Sequence, residues 1–141
     1  MKYVDASAVL RLLFAEAGPT VLLGAGDTAA SSELIEVEAF RAIDRLRLLG
    51  RMNDRETAVK RKELGDLIAM LDLVPIDRGV VDRAKGSFAV NLRALDAIHV
   101  ATAEVLAAEG EVVEFWTHDE RQQIAALSRG FTVRGVSSEA D

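Results

Sequence analysis

The sequence predicts a single α/β domain, a three-layer α/β/α sandwich in which helices cover both faces of a central parallel sheet of short strands. Strand-like and helix-like segments alternate along the whole chain, which is the pattern of successive βα units. The chain has 141 residues, half of them apolar, and this suits one domain with one sizeable core. No internal repeat, linker or low-complexity segment divides it, so we expect residues 1–141 to form a single domain.

The first segments of the chain predict a strand, a helix and a second strand. Tyr3-Val4 is typical of a short buried strand that ends at Asp5, and apolar residues at helical spacing follow from Val9 to Phe14. Gly18-Pro19 breaks this pattern, and the apolar run Val21–Leu23 is compatible with a further helical piece. Small residues predict the second strand over Thr28–Ser31.

The next stretch predicts two long helices that form a protruding hairpin, Glu33–Leu71. Ser32 has the side chain of a helix N-cap, and an amphipathic pattern runs from Glu33 to Leu49, where Gly50 provides the stop. Asn53 or Asp54 caps the second helix, which runs to about Leu71.

The remaining segments continue the alternation of strands and helices. Pro75 restricts the third strand, Leu73–Ile76, to a sheet edge, and Asp77 caps a short helix around Val80–Lys85. After the loop Gly86–Asn91, the sequence predicts in order a buried helix over Leu95–Glu109, a strand over Val112–Trp116, a helix from His118 or Asp119 through Leu127, a strand over Phe131–Val133 and a polar tail, Ser137–Asp141.

Composition narrows the classes of function. The formal net charge is −6 and the pI is near 5.0, which argues against binding nucleic acid through a basic face. An acidic protein that acts on a polyanion needs a local divalent cation to offset its own charge. Cysteine is absent, no signal peptide is visible and no apolar run has the length of a membrane span, so we expect a cytoplasmic protein with no membrane attachment.

Three aspartates fall where a parallel sheet places its chemistry. Asp5 ends the first strand and Asp119 follows the strand Val112–Trp116, so both belong to the carboxyl edge of the sheet. Asp96 opens the helix before that strand, among apolar neighbours where an unpartnered carboxylate is costly. An aspartate at the start of a helix is also an ordinary N-cap, and for Asp5, Asp96 or Asp119 alone the two interpretations stay open.

Crowded carboxylates indicate a metal rather than a purely organic site. Acids of like charge push one another toward protonation unless a cation lies between them. Oxygen ligands favour Mg²⁺ or Mn²⁺, and the two histidines, His99 and His118, do not have a zinc-binding spacing.

Four stretches in this order resemble the PIN-domain ribonucleases, and among these the VapC-type toxins of bacterial toxin–antitoxin pairs. They are YVDASAVLRLL, SSELIEVEAFRAI, LRALDAIHVATA and FWTHDERQQIAA, and together they extend from about Tyr3 to Ala126. LDAIHVATA and THDER are the most specific parts. This resemblance implies a PIN-like fold and endonucleolytic cleavage of RNA.

The resemblance also implies a catalytic quartet of acids, Asp5, Glu38, Asp96 and Asp119. Asp5 and Asp96 are then the principal ligands of Mg²⁺, with Mn²⁺ as a substitute, while the other two complete the site or orient water. Glu38 is preferred to Glu33 and Glu36 because it stands six residues after Ser32 and directly before the AFRA segment. By the same resemblance Thr117 places a hydroxyl near the metal, and Ser7 orders the loop after the first acid.

The implied partners are an RNA substrate, a second copy of the chain in a homodimer and a cognate antitoxin. The hairpin Glu33–Leu71 carries mixed apolar and charged residues suited to gripping an antitoxin peptide. An arginine of that peptide could enter the acidic site and replace the metal.

Other side chains have a structural and a functional interpretation. His99 is favoured as a partly buried structural histidine, His118 as exposed and incidental, and Trp116 as core at a strand end. Arg93 is the best candidate for gripping a phosphate near the metal. The cations of the hairpin either pair with acids on a solvated face, which we favour, or guide RNA phosphates: Arg41, Arg45, Arg47, Lys60, Arg61 and Lys62.

Two other functions are compatible with part of this pattern. A catalytically silent PIN-like module that binds RNA or protein would be expected to lose at least one acid. A receiver-type phosphotransfer domain would need paired acids after the first strand and a lysine late in the sheet. Loss of labelled RNA that depends on Mg²⁺ and stops with EDTA distinguishes the nuclease from both.

Overall fold

A computed structural model describes residues 1–15, 20, 21, 23, 24 and 26–136 of the chain. The strands found in this part form one sheet in the order β3-β2-β1-β4-β5, and each neighbouring pair is parallel. The predicted parallel sheet is therefore confirmed, with β3 at one edge. The strands are β1 Lys2–Val4, β2 Ala29–Ser32, β3 Asp72–Val74, β4 Glu114–Trp116 and β5 Thr132–Arg134.

Helices cover both faces of this sheet and make three layers. On one face, side chains of the first three helices pack with Val4 of the sheet. On the other face, the last helices pack with Tyr3 and Phe115. Adjacent residues of β1 thus point to opposite faces, as the pleat requires. The helices are α1 Ala6–Phe14, α2 Leu34–Leu48, α3 Asp54–Ala69, α4 Arg78–Ala84, α5 Ala94–Ala108 and α6 Glu120–Ser128.

The strand order places a topological switch point between β1 and β4. From β1 the chain moves outward to β2 and β3, and it then returns to pair β4 with the free side of β1. Ligand sites of open α/β sheets lie beyond the carboxyl ends of the strands at such a point, because the connections leave in opposite directions there. The residues that follow β1 and β4 are the ones the fold brings to this crevice.

The predicted hairpin is present as α2 and α3. Gly50 has φ +73° just after α2, a left-handed conformation that glycine adopts without strain. Asn53 caps α3 with a capping box, because its side chain accepts from the backbone N–H of Glu56 at 2.8 Å while the Glu56 carboxylate faces the N–H of Asn53 at 3.4 Å. These local signals define the turn without help from the rest of the fold.

Two local predictions differ from the structure, and two lie outside the residues that it describes. Val21 and Leu23 are not helical, since a run of three apolar residues is too short to specify a period. Ser32 ends β2 rather than capping α2 in the usual way, although its Oγ still accepts from the backbone N–H of Leu34 at 3.2 Å. The break at Gly18-Pro19 and the tail Ser137–Asp141 lie outside the described residues.

None of the described helices combines the length and the apolar character that crossing a bilayer requires.

Candidate active site

Asp5 and Asp119 lie at the carboxyl ends of the two strands that flank the switch point. Strands β1 and β4 pair in register, with Val4 opposite Trp116. Asp5 directly follows β1 and caps α1, because its side chain accepts from the backbone N–H of Ala8. Asp119 caps α6 in the same way. Both aspartates are therefore N-caps, and each has a second carboxylate oxygen for another role.

Two hydroxyl groups hold the Asp5 carboxylate. Ser7 Oγ donates to Oδ1 at 2.6 Å and Thr117 Oγ1 donates to Oδ2 at 2.5 Å. Each hydroxyl also accepts a backbone N–H, Ser7 from His118 at 2.8 Å and Thr117 from Asp119 at 3.0 Å. The start of α1 and the loop after β4 are thus tied together around Asp5, which is only 4% exposed.

Asp96 lies in the first turn of α5 and faces a polar cavity. This cavity of about 470 Å³ is lined by Asp96, Asp119, Asn91, Arg93 and Arg121. The Arg121 guanidinium donates to the backbone carbonyl of Asn91 at 3.2 Å, so it also steadies the loop that enters α5. Carboxylates and guanidinium groups therefore share one small opening, an arrangement suited to a metal ion beside a phosphate.

Glu38 enters the site region from α2. His99 Nε2 lies 2.6 Å from Glu38 Oε1, which joins α2 to α5. The other glutamates considered for this role are elsewhere: Glu33 accepts from the backbone N–H of Ile76 at 3.0 Å, and Glu36 is exposed. Among the three, Glu38 is the one that the structure brings toward Asp96.

The electrostatics indicate that the four carboxylates share one region. Burial is the largest cause that raises the pKa of Asp96, and the charges of Asp119, Asp5 and Glu38 raise it further, while His99 lowers it. An influence of this kind requires proximity to Asp96, because exposed charges far apart are screened. The structure thus places Asp5, Glu38 and Asp119 within electrostatic reach of Asp96.

The pKa of Asp5 is also raised. Burial is the main cause, and it is opposed by His99 and by the hydrogen bonds from Ser7 and Thr117. The hydroxyl groups favour the carboxylate form that a metal ligand needs, whereas the low polarity around it disfavours an uncompensated charge. A cation at this position would relieve that penalty.

The donor set fits a hard, hydrated cation. Within residues 1–15, 20, 21, 23, 24 and 26–136, no three acidic or histidine side chains are arranged as a ready-made cage for one ion. Zinc normally requires such a cage of protein ligands. Mg²⁺ instead keeps several waters and uses one or two carboxylates together with substrate phosphate, so the half-buried Asp96 and the buried Asp5 are compatible with it.

The prediction for one of the two histidines agrees with the structure, and the prediction for the other does not. His99 is indeed buried, at 1% exposure, but it also contacts Glu38 and Tyr3. The prediction that His118 is exposed and incidental is wrong: it is partly buried, its Nδ1 bonds the carbonyl of Gly135, and its backbone N–H bonds Ser7. The fold places the loop after β5 against this side chain, which no local pattern indicates.

Sequence reasoning missed two contributors to the site. Tyr3 was recognised only as a strand residue, although its hydroxyl lies 2.7 Å from His99 Nδ1. Arg121 was not singled out, although it lines the same cavity as Asp96. Its position two residues after Asp119, in the first turn of a helix at the carboxyl edge, was an available signal.

An apolar groove of about 1060 Å³ adjoins the acidic site. It lies along α1 and α2, and Glu38 and Leu95 are among its lining residues. Its walls include side chains that remain largely exposed, Val37 at 61% and Leu48 at 68%. Arginines complete the lining: Arg41, Arg45 and Arg51.

Several cations of the hairpin pair with neighbouring acids. Arg41 and Arg47 both contact Asp44, at 3.5 and 3.2 Å. Lys60 contacts Glu63 at 3.0 Å, and Lys62 contacts Asp66 at 2.9 Å. This is the solvated face that the helical spacing predicted.

Comparison with known proteins finds one family and two curated relatives. The family model described as PIN domain matches residues 2–127. Ribonuclease VapC46 of Mycobacterium tuberculosis is 34% identical over 134 residues, which covers 93% of this chain and 94% of that protein. Ribonuclease VapC47 of Mycobacterium tuberculosis is 33% identical over 138 residues, which covers 93% of each chain.

Proposed function

Because the chain belongs to the PIN domain family and resembles its VapC group over nearly its whole length, we propose that it is a metal-dependent endoribonuclease and the toxin of a toxin–antitoxin pair. The observation that carries the proposal is the placement of three aspartates around the switch point of the sheet: Thr117 links Asp5 to the loop that carries Asp119, and Asp119 lines one cavity with Asp96. The charge of Glu38 also acts on Asp96. The names of both relatives describe ribonucleases, which supports RNA as the substrate.

In this proposal Asp5 and Asp96 hold Mg²⁺, or Mn²⁺ in its place, and Asp119 and Glu38 complete the site directly or through water. When bound, the ion lowers the pKa of a water molecule and offsets the charge of the scissile phosphate. Ser7 and Thr117 keep the Asp5 carboxylate oriented, because each donates a short hydrogen bond to one of its oxygens.

Arg93 and Arg121 supply the positive charge that positions RNA. Both line the cavity that also contains Asp96 and Asp119. A guanidinium group binds phosphate through two parallel hydrogen bonds, so a phosphate seated here would lie beside the acidic site.

The proposed activity is tested with Asp5→Asn. We expect it to lower cleavage of labelled single-stranded and stem–loop RNAs in Mg²⁺ by on the order of a thousand-fold, because a metal ligand contributes several kcal/mol to the barrier. Asparagine keeps the N-cap oxygen, so α1 should remain folded. EDTA should abolish wild-type cleavage, and Mn²⁺ should restore it.

Asp77→Asn is the matched control. Like Asp5, Asp77 is a helix N-cap, since its side chain accepts from the backbone N–H of Val80 at 3.0 Å, but it lies outside the site. It should cleave like the wild type. Wild-type cleavage by Asp5→Asn would refute the mechanism. Specific RNA binding by the wild type without cleavage would favour the silent PIN-like module instead.

We further propose that the apolar groove along α1 and α2 receives the antitoxin, with a basic side chain of the antitoxin directed toward Glu38. The groove supports this proposal because its lining is largely apolar and includes Glu38 of the acidic site. Leu48→Asp places a charge on an exposed wall without disturbing the core. It should weaken binding of the co-expressed antitoxin at least tenfold, whereas unchanged affinity would contradict this location.

The homodimer and the cytoplasmic location also belong to this proposal. Light scattering of the purified chain tests the dimer by its mass. Fractionation of the producing cell tests the location.

A further inference from the structure

We propose that His99 is a positioning residue, braced by Tyr3, that fixes the direction in which Glu38 presents its carboxylate to the acidic site. This inference rests on the proposed function for its catalytic consequence. The contacts themselves are independent of that function.

A continuous line of hydrogen bonds runs from the sheet to Glu38. The backbone N–H of Ser32 donates to the Tyr3 hydroxyl at 3.2 Å. The Tyr3 hydroxyl lies 2.7 Å from His99 Nδ1, and His99 Nε2 lies 2.6 Å from Glu38 Oε1. The line joins β2, β1, α5 and α2 in turn.

The donor is fixed at the Glu38 end of this line. A carboxylate only accepts, so Nε2 carries the hydrogen that reaches Glu38. At the other end, the Tyr3 oxygen accepts from Ser32 and contacts Nδ1, which accepts the hydroxyl hydrogen in a neutral imidazole and donates to the oxygen in an imidazolium. Each group thereby fixes the next, which is the way that second-layer partners set the tautomer and orientation of histidine.

The side chains of Tyr3 and His99 are both buried, which limits the partners that their polar atoms can reach. Tyr3 is 0% exposed and His99 is 1% exposed. The Tyr3 ring stacks on Phe115 with centroids 5.1 Å apart, and its edge meets the His99 ring at 5.8 Å. Because a buried polar group must find its partner inside the protein, both rings are held to the orientation that serves Glu38.

Glu38 gains from this restraint because no N-cap hydrogen bond holds its carboxylate. Asp5 and Asp119 are held by N-cap hydrogen bonds, whereas Glu38 has a longer side chain in the interior of a helix. His99 lies three residues after Asp96, so both occupy adjacent turns on one side of α5. The helix that carries Asp96 thus also restrains Glu38, which lowers the entropy that must be lost when the site assembles.

The first test compares two substitutions of His99 that place a polar group near different nitrogens of the original ring. His99→Gln retains a donor near the position of Nε2, whereas His99→Asn retains a polar atom only near Nδ1. We expect His99→Asn to lower kcat by about 30-fold at unchanged KM for RNA and to raise the Mg²⁺ concentration needed, and His99→Gln to retain most of kcat. Equal losses in two folded variants would overturn the proposal.

The second test asks whether His99 acts through Glu38. The double variant His99→Asn with Glu38→Gln should be no slower than Glu38→Gln alone, because the orientation of an absent carboxylate has no further effect. Additive losses would overturn the proposal. If the His99 variants do not fold, Tyr3→Phe replaces them in the same double-mutant comparison. Tyr3→Phe alone should lower kcat by a smaller factor, and it should cause no further loss of kcat in the Glu38→Gln background.

The third test does not depend on ribonuclease activity. Nitrogen-15 spectra of the imidazole in the metal-free wild type should show a hydrogen on Nε2, and Glu38→Gln should shift the Nε2–H resonance. Glu36→Gln is the matched control on the same helix and should leave it unchanged. A hydrogen on Nδ1 alone, or no response to Glu38→Gln, would overturn the contact. A correct spectrum in a protein that cleaves no RNA would instead refute the proposed function.

Discussion

At the scale of single residues, the geometry of Asp5 is that of an N-cap and is also compatible with the proposed role of metal ligand. Its Oδ1 accepts from Ala8 and Ser7, and its Oδ2 accepts from Thr117. The capping bond holds the carboxylate at the end of β1, where the strand order opens a crevice. The two interpretations that the sequence left open for this residue are therefore both compatible with its geometry.

Asp96→Asn tests the electrostatic cost of the site. The pKa of Asp96 is raised in the folded state by burial and then by Asp119 and Asp5, so the folded state binds this proton more tightly than the unfolded state. This contribution to stability is complete below the unfolded pKa, about 3.9, and is lost as the pH rises through the folded pKa. At neutral pH the ionised group thus destabilises the metal-free protein.

We accordingly expect Asp96→Asn to unfold at a higher urea concentration than the wild type in EDTA at pH 7, and the difference to shrink as the pH falls toward 4. Added Mg²⁺ should stabilise the wild type and not the variant. Asp82→Asn is a control of opposite sign, because a hydrogen bond from Lys85 lowers the pKa of Asp82. A less stable Asp96→Asn variant in EDTA would contradict this account of the site.

The sequence located a site residue best where a local rule of secondary structure applied to it. Asp5 and Asp119 follow strands and precede helices, so the carboxyl-edge rule located both. The choice of Glu38 over Glu33 and Glu36 came only from family resemblance, because three glutamates share the start of α2 and periodicity does not distinguish them. Its partner His99 is 61 residues away along the chain, and Tyr3 is 96 residues from His99, so these contacts exist only after folding.

At the scale of elements, the sequence predicted each strand and helix that it marked with caps and breakers. Asp77, Asn53 and Asp119 each begin the helix expected of them. The short strands were less well bounded, because three or four residues carry too little alternation to fix an end. The contact between the loops after β4 and β5 could not be predicted, since no local pattern in the loop after β5 indicates its partner.

Gly135→Ala tests that contact. Gly135 has φ +103°, and a Cβ there would collide with the backbone carbonyl of Thr117. We expect the substitution to displace the loop that carries the Thr117 hydroxyl and to lower RNA cleavage at least tenfold, while costing about 1–2 kcal/mol in the free energy of unfolding.

Gly110→Ala is the control that distinguishes backbone strain at a glycine from displacement of the loop that carries Thr117. Its φ of +99° imposes a similar backbone cost, but no atom lies within 4 Å of the Cβ position. Cleavage by Gly110→Ala should equal that of the wild type at a similar loss of stability. If both variants cleaved RNA equally well, the loop after β5 would have no part in positioning Thr117.

At the scale of the whole molecule, an acidic protein is proposed to act on an acidic polymer. The net charge is −6, so long-range attraction does not bring RNA to the surface. Positive charge is available locally at Arg93 and Arg121, beside Asp96 and Asp119. In the proposed function, RNA binding would therefore depend on a few guanidinium groups and the cation rather than on a basic face.

The salt dependence of RNA binding measures how many phosphates these groups neutralise. Each neutralised phosphate of a single strand contributes about −0.7 to the slope of log K against log salt concentration, so two arginines predict a slope of about −1.4. Arg93→Gln should reduce the slope to about −0.7 in binding measured by fluorescence anisotropy with Ca²⁺ in place of Mg²⁺. Arg78→Gln is the control, because Arg78 lies on α4 and pairs with Asp82 at 3.6 Å. A slope of about −4 for the wild type would instead mean that RNA also contacts the cations of the hairpin, and the ion pairs of Arg41, Lys60 and Lys62 would then have to open when RNA binds.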